Sequence, residues 1–373
     1  VSVEGPTHDP RAANPYAQIV AQTQRQRRLF SAHWELTYRC NERCTHCYLD
    51  VSSPHADTTG ELTTTECFRI VDELVAAGAL NLALSGGEVL VRRDFFAIAE
   101  YARARRFLLR LFTNGTLITP SVADRIAALH PYAVELSLYS TQAELHDQIT
   151  RLPRAFELTT RAIRLLRARG VRTVIKTPLM RENVREFHAL EALARELGAQ
   201  FRYDITITPK DDGSRAPLQH RLTRDDLIGL FRAVIDPSIW VGRTGKPEAG
   251  TCAIGSNALL IDPHGNVFPC VQTRLAAGNL RQQSLQTIWE HAPVWQELAG
   301  LTLDALPVCR ACELRTLCVR CHGLARLEDG DLRAPARVNC REALARRQVL
   351  VEKGALPADY PLPAWVSEQI ASP

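Results

Sequence analysis

No apolar run in this chain approaches the roughly 20 residues needed to span a bilayer, so no membrane partner is expected. The N-terminus, VSVEGPTHDPRAANPYAQIV, lacks the basic-then-apolar form of a secretory signal, and a cytoplasmic location is the expectation. An excess of one charge is missing too. The 45 Lys and Arg are nearly matched by 41 Asp and Glu, and a net +4 is too little for the basic face that nucleic acid requires. The chain has neither internal repeats nor low-complexity segments. With 46% hydrophobic and 23% charged residues, its 373 residues can bury a sizeable core as a large domain plus a smaller one, or as two medium ones.

Cysteine is plentiful by contrast, and its gaps are informative. Eleven is an odd count, and without a secretory signal it argues against a disulfide framework and for metal or redox chemistry. After Cys40, Cys44, Cys47 and Cys67 the middle of the chain has none until Cys252, followed by Cys270, Cys309, Cys312, Cys318, Cys321 and Cys340. Two separate metal-binding regions are expected. The first, RCNERCTHCYLD at 39–50, is missing a fourth cysteine. A structural zinc takes four ligands and disulfides need pairs.

From 33 to about 207, short β-rich runs alternate with helical patterns. Strands are expected at 33–38, 81–86, 108–114, 133–139, 173–179 and 201–207. Between them lie amphipathic stretches such as 63–78, which opens on Thr residues suited to an N-cap, and 155–170; both end in Gly. Six strand–helix repeats predict parallel strands with right-handed crossovers, in an open sheet or a barrel. Residues 1–32 form an N-terminal extension with one short helix, 33–212 the core, and 213–250 a polar, turn-rich bridge. A cysteine-rich region covers 251–345, and 346–373 is a tail. Within the cysteine-rich region, ALLIDPHGNVFPC carries a hairpin signal around DPHGN.

The three-cysteine loop follows the first expected strand, at the sheet edge where α/β active sites are built. A cubane iron–sulfur cluster has four irons, so three thiolates leave one iron open. The competing assignment is a zinc site completed by His46 or a remote residue. Other motifs stand at successive strand ends: SGGEVL (85–90), FTNGTLI (112–118) and ELSLYS (135–140).

In this order the motifs resemble the radical S-adenosylmethionine (SAM) superfamily over about residues 33–210. The resemblance implies a partial (β/α)6 TIM-type barrel, in which Cys40, Cys44 and Cys47 hold a [4Fe–4S] cluster. SAM then binds the open iron and is cleaved to a 5′-deoxyadenosyl radical. It implies that Gly86 and Gly87 let the backbone approach closely and that Glu88 holds the methionine ammonium. It also points Thr113 and Asn114 into the barrel mouth, sets Ser137 at the ribose and packs His46 on adenine. Val89 stands where the family usually has Pro. Lys176, a lone cation in VIKTPL, is a candidate for the SAM carboxylate or the substrate, or it snorkels outward. Arg151 and Arg154 are further carboxylate candidates.

The seven later cysteines are similar in order to the SPASM domain, a small α+β extension of some radical SAM enzymes that usually carries two auxiliary iron–sulfur clusters. One departure is that two residues, not three, separate Cys318 from Cys321. A zinc ribbon on the four central cysteines would leave Cys252, Cys270 and Cys340 unused. By the family's order Cys309, Cys312, Cys318 and Cys340 hold the outer cluster, while Cys252, Cys270 and Cys321 hold the inner one, which is one ligand short. His264 and His322 lie beside these cysteines, and Cys67 reads as a small buried hydrophobe.

Such enzymes mostly act on peptides or proteins, and ELSLYS and KTPLMREN look most like the peptide-maturase branch. The resemblance therefore implies oxidative modification of a ribosomally made precursor peptide, such as a thioether or carbon–carbon crosslink. Expected partners are that peptide, a separate small peptide-recognition protein, and a one-electron reductant such as flavodoxin or ferredoxin. The alternatives are a sulfatase-maturing or small-molecule radical SAM dehydrogenase and, further off, a non-catalytic metal-binding interaction protein.

Overall fold

A computed structural model of the chain describes residues 14–243 and 252–363. Helix α1 (Pro15–Arg25) precedes five strand–helix repeats and a sixth strand. These run β1 (Ser31–Glu35), α2 (Thr64–Ala76), β2 (Asn81–Ser85), α3 (Phe95–Ala104), β3 (Leu108–Thr113), α4 (Pro120–Ala128) and β4 (Ala133–Ser137). Then come α5 (Ala143–Thr150), α6 (Ala155–Arg167), β5 (Thr173–Pro178), α7 (Phe187–Glu196) and β6 (Gln200–Asp204). All neighbouring pairs among β1–β6 are parallel.

Each strand alternates faces, so one set of side chains meets the helices and the other lines the inside of the curved sheet. Trp34, Leu82, Leu84, Leu109, Leu111, Val134 and Leu136 bury against Ile70, Leu74, Ile98, Ile126, Ile163 and Leu166 of the helices. Each such side chain contributes about 1.5–3 kcal/mol by leaving water. Helix α2 begins as its sequence predicts: Thr63 and Glu66 form a reciprocal capping box, and Gly78 follows its end with φ +87°. Cys67 is fully buried in this core, as expected of a small hydrophobe.

The first strand departs from expectation. It covers 31–35 rather than 33–38, because Thr37 and Arg39 have turned their carbonyls to the amides of Gly87 and Glu88, at 2.7 and 2.9 Å. The cysteine loop therefore starts from an irregular segment braced by the turn after β2, not from the strand itself.

The DPHGN hairpin forms between β7 (Ala258–Ile261) and β8 (Asn266–Phe268), with Asp262 Oδ1 accepting from the His264 and Asn266 amides and Gly265 at φ +84°. It does not stand apart from the barrel. β7 pairs in parallel with β1, and β9 (Gly278–Asn279) extends a single nine-stranded sheet of order β6-β5-β4-β3-β2-β1-β7-β8-β9. The helix expected within the bridge is α8 (Arg224–Val234). After α9 (Leu285–His291), α10 (Pro293–Ala299) and α11 (His322–Asp329), the last helix among the described residues is α12 (Arg337–Glu352). Leu227, Ile228 and Phe231 of α8 pack with Ala343, Val349 and Leu350 of α12 in a second core. The boundary expected at 345/346 thus falls inside α12, where Arg346 is buried. Among the described residues no helix is long and apolar enough to cross a membrane.

Candidate active site

A cavity of ≈ 480 Å³ opens at the C-terminal ends of the strands. Cys40, Cys44 and Cys47 all line it, together with Gly86, Gly87, Thr113, Asn114, Ser137 and Lys176. Burial pushes the Cys40 thiol up to about 12 and that of Cys47 to about 11, and Cys44 is raised as well, with Glu42 and the other two thiols adding to it. Three neighbouring thiols that burial keeps protonated are a poor arrangement for free cysteine. They become favourable once a metal centre replaces the protons with positive charge. Among the described residues no three His, Cys, Asp or Glu side chains converge as ligands of one ion. The three thiols line one cavity, and a donor set of three cysteines fits an iron–sulfur cluster that keeps one iron open.

The glycines approach the chain itself. A Cβ on Gly86 or Gly87 would run into the backbone of Thr37 or Arg39, so this turn is what holds the cysteine loop in place. Glu88 is fully buried and does not line the cavity. Its carboxylate accepts from the Leu90 amide at 3.0 Å, from Thr113 Oγ1 at 2.8 and 2.9 Å, and from the Asn114 amide at 2.7 Å. Through these bonds Glu88 ties the end of β2 to the end of β3. Asn114 continues the lacing: its Nδ2 donates to Asn41 Oδ1 at 2.9 Å, and Asn41 Nδ2 donates to Thr116 Oγ1 at 2.8 Å.

His46 lies in the cavity wall, edge-on to Tyr139 with ring centres 4.7 Å apart, and its Nδ1 is buried without a partner. Burial lowers its pKa to about 3, keeping the ring neutral. Ser137 and Lys176 are register partners on β4 and β5, and both face the cavity. Lys176 therefore points inward rather than snorkelling out; its Nζ lies 3.5 Å from Glu135 Oε2. Arg151 is a correction. It caps α5 in the left-handed region (φ +54°), is exposed, and does not line the cavity. Arg154, also left-handed, pairs with Glu157 on the surface.

The second cysteine region reaches the same cavity through Cys270 and Gln272. The charges each thiol feels divide the seven into two neighbourhoods. Cys321, raised by burial to about 11, also feels Cys270 and Cys252. Cys318 feels Cys340 and Cys309, and Cys340 feels Cys309 and Cys312. Cys270 Sγ donates to Gln272 Oε1 at 3.1 Å. His264 sits in the exposed hairpin turn, with Nδ1 3.0 Å from the Gly60 carbonyl, and His322 is buried against Arg320 and the Leu332 carbonyl.

Several cavity residues were not singled out from the sequence: His33, Arg202 and Gln272 lie outside the motifs, and Glu42 and Tyr139 lie within them. Alternation within β1 was the available signal for His33. A buried clasp joins the two cysteine regions: Arg274 donates to both oxygens of Glu35 at 2.7 and 2.9 Å, and Tyr48, next to Cys47, donates to Glu35 at 2.8 Å.

An α/β sheet whose six parallel strands carry three cysteines at their mouth, joined there by Cys270 from a second set of seven, defines an iron–sulfur enzyme of the partial-barrel class. Comparison with known proteins agrees. The Radical SAM superfamily matches residues 34–194, and the SPASM iron–sulfur cluster-binding domain matches 252–313. The chain is 32% identical over 325 residues to the AdoMet-dependent heme synthase of Methanosarcina barkeri, covering 80% of this chain and 92% of that protein. It is 32% identical over 283 residues to the mycofactocin maturase MftC of Mycobacterium tuberculosis, covering 71% of each. Among solved structures, Streptococcus suis SuiB bound to its precursor peptide SuiA shares the fold with a TM-score of 0.65 at 15% identity, covering 90% of this chain and 82% of that one. The chain belongs to the radical SAM superfamily and carries a SPASM domain. Its cofactors are SAM, a [4Fe–4S] cluster and auxiliary iron–sulfur clusters.

Proposed function

We propose that this enzyme abstracts hydrogen from a ribosomally made peptide and leaves an oxidative modification such as a thioether or carbon–carbon crosslink. The observation that carries this reading is the shared cavity: the three-cysteine loop and Cys270 of the second region line one space. When bound, the cluster and SAM supply one electron and a 5′-deoxyadenosyl radical. Cys40, Cys44 and Cys47 hold the cluster; Glu88 and Asn114 keep the loop and the ends of β2 and β3 in register; His46 and Ser137 flank the nucleoside. A second cluster near Cys270 suits a net two-electron oxidation, because it can take up the electron left on a substrate radical. The outer set is Cys309, Cys312, Cys318 and Cys340, and the inner set Cys252, Cys270 and Cys321. The relative named as a maturase supports the peptide.

A cytoplasmic location, a flavodoxin- or ferredoxin-like reductant and a separate small protein that presents the peptide belong to the same reading. Cleavage consumes an external electron, which supports the reductant. Helix α1 is docked on the core, with Tyr16 against Phe30 and Thr23 bonded to Asn257.

The heme-synthase relative, matched over nearly its whole length, favours a second reading in which the substrate is an iron tetrapyrrole. The test is mass spectrometry of a genetically neighbouring peptide, co-expressed with the enzyme and with its Cys44→Ala variant, beside a parallel incubation with a heme precursor. A mass change in the peptide that needs Cys44 is expected. Conversion of the tetrapyrrole with no change in the peptide would replace the first reading by the second.

A further inference from the structure

The inner face of the sheet holds positive charge that the roles above leave unused. Lys176 on β5 and Arg202 on β6 are register partners, and both line the cavity. Like charges placed side by side on neighbouring strands repel, and here the compensation is incomplete. Lys176 has Glu135 at 3.5 Å and the Phe112 ring at 4.6 Å. Glu135 also accepts a shorter bond, 2.7 Å, from Arg110, so one carboxylate serves two cations. Among the described residues the Arg202 side chain has no ion pair or hydrogen bond. Asp204, two residues along β6, accepts from the Thr206 amide at 2.7 Å, and Glu42 accepts from Cys44 at 3.2 Å. His33 brings a third nitrogen: it lines the cavity 5.5 Å from the Phe112 ring, and its Nε2 is buried without a partner. Burial, and then the charge of Lys176, lower the His33 pKa to about 3, in keeping with an electropositive surround.

We propose that Lys176, Arg202 and His33 form a carboxylate-binding subsite that anchors an anionic group of the substrate in the active-site cavity. A guanidinium reads a carboxylate through two parallel hydrogen bonds, and an adjacent ammonium adds a point charge. The inference rests on the reading that a substrate enters this cavity. It holds for a peptide, through an acidic side chain or the C-terminus, and for a tetrapyrrole, through a propionate. SAM offers a carboxylate as well, so the test must separate the two sources.

On the anaerobically reconstituted enzyme, phenylglyoxal labelling of Arg202 is followed by mass spectrometry. The probe is glutarate, its neutral isostere glutaramide is the control at matched ionic strength, and each is used with and without saturating SAM. Glutarate is expected to slow labelling while glutaramide does not. SAM alone should leave the rate unchanged and should not abolish the glutarate effect. Lys176→Gln should raise the glutarate concentration for half-protection about tenfold, the loss of one charge-assisted hydrogen bond. Suppression by SAM alone, with nothing further from glutarate, would give the cations to the cofactor and overturn the proposal. Equal effects of glutarate and glutaramide would overturn it too. The wild-type measurements suffice if the variant does not fold. Failure of the underlying reading shows separately, as absence of 5′-deoxyadenosine when the wild-type enzyme is given SAM and dithionite.

Discussion

Replacing Gly87 by Ala is expected to damage the cysteine loop without touching a cysteine. The new Cβ would stand 2.8 Å from the carbonyl carbon of Arg39 and 3.1 Å from Cys40 Cβ, and nearer still to the Arg39 oxygen. Carbon atoms rest comfortably about 3.5–4.0 Å apart, so the two segments must separate by roughly 1 Å. Two hydrogen bonds cross that gap, Gly87 to Thr37 at 2.7 Å and Glu88 to Arg39 at 2.9 Å. Widened by that much, they pass out of useful range. Each buried backbone bond left unmade costs about 1–3 kcal/mol, so the apoprotein should lose about 2–6 kcal/mol. Gly229, inside α8 with no atom within 4 Å of its added Cβ, is the control; its Ala variant should gain up to about 1 kcal/mol. The assays are urea unfolding of the apoproteins, followed by iron content and electron paramagnetic resonance after anaerobic reconstitution. A Gly87→Ala protein with wild-type unfolding and a full SAM cluster would refute the assignment of this turn as the brace of the loop.

Arg274→Met strands the buried Glu35 carboxylate and should cost about 3–5 kcal/mol, part of it recovered by adding Glu35→Gln; equal urea midpoints for the single and double variants would contradict this. His146 accepts the Tyr139 amide at 3.1 Å on Nδ1, and burial lowers its pKa from 6.5 to about 4. The unfolded chain therefore binds the proton first. Stability is complete above pH 6.5 and falls by on the order of 3 kcal/mol as pH drops towards 4. A stability–pH curve for His146→Asn parallel to wild type would count against that. Cys318→Ser should remove about four irons and leave the SAM-cluster spectrum, whereas Cys321→Ser should deplete the other auxiliary set. Loss of both sets from each variant would break the division into two neighbourhoods.

Much of the site was legible because its determinants are local. The spacing of Cys40, Cys44 and Cys47, the glycine pair after β2, the Thr63 cap and the DPHGN turn each act over a few residues, so a linear pattern carries them. The roles of single side chains were harder to read. Glu88 has the motif's identity, but its bonds from Thr113 and Asn114, which tie β2 to β3, are set by the fold. Arg151 sits in a hopeful position, yet a left-handed backbone at the end of α5 turns it to solvent.

By itself, the sequence determined the alternation of strands and helices, the two cysteine regions and the order of the motifs at the strand ends. Only the tertiary structure decided that β7 closes onto β1 and brings Cys270 to the barrel cavity, that Arg274 clasps Glu35 across the chain, and that Lys176 lies beside Arg202. The physical reason is that charge and contact act through space. Strand pairing sets which distant residues become neighbours, and a sequence pattern of period two or 3.6 says which face a residue takes but not what it will meet there.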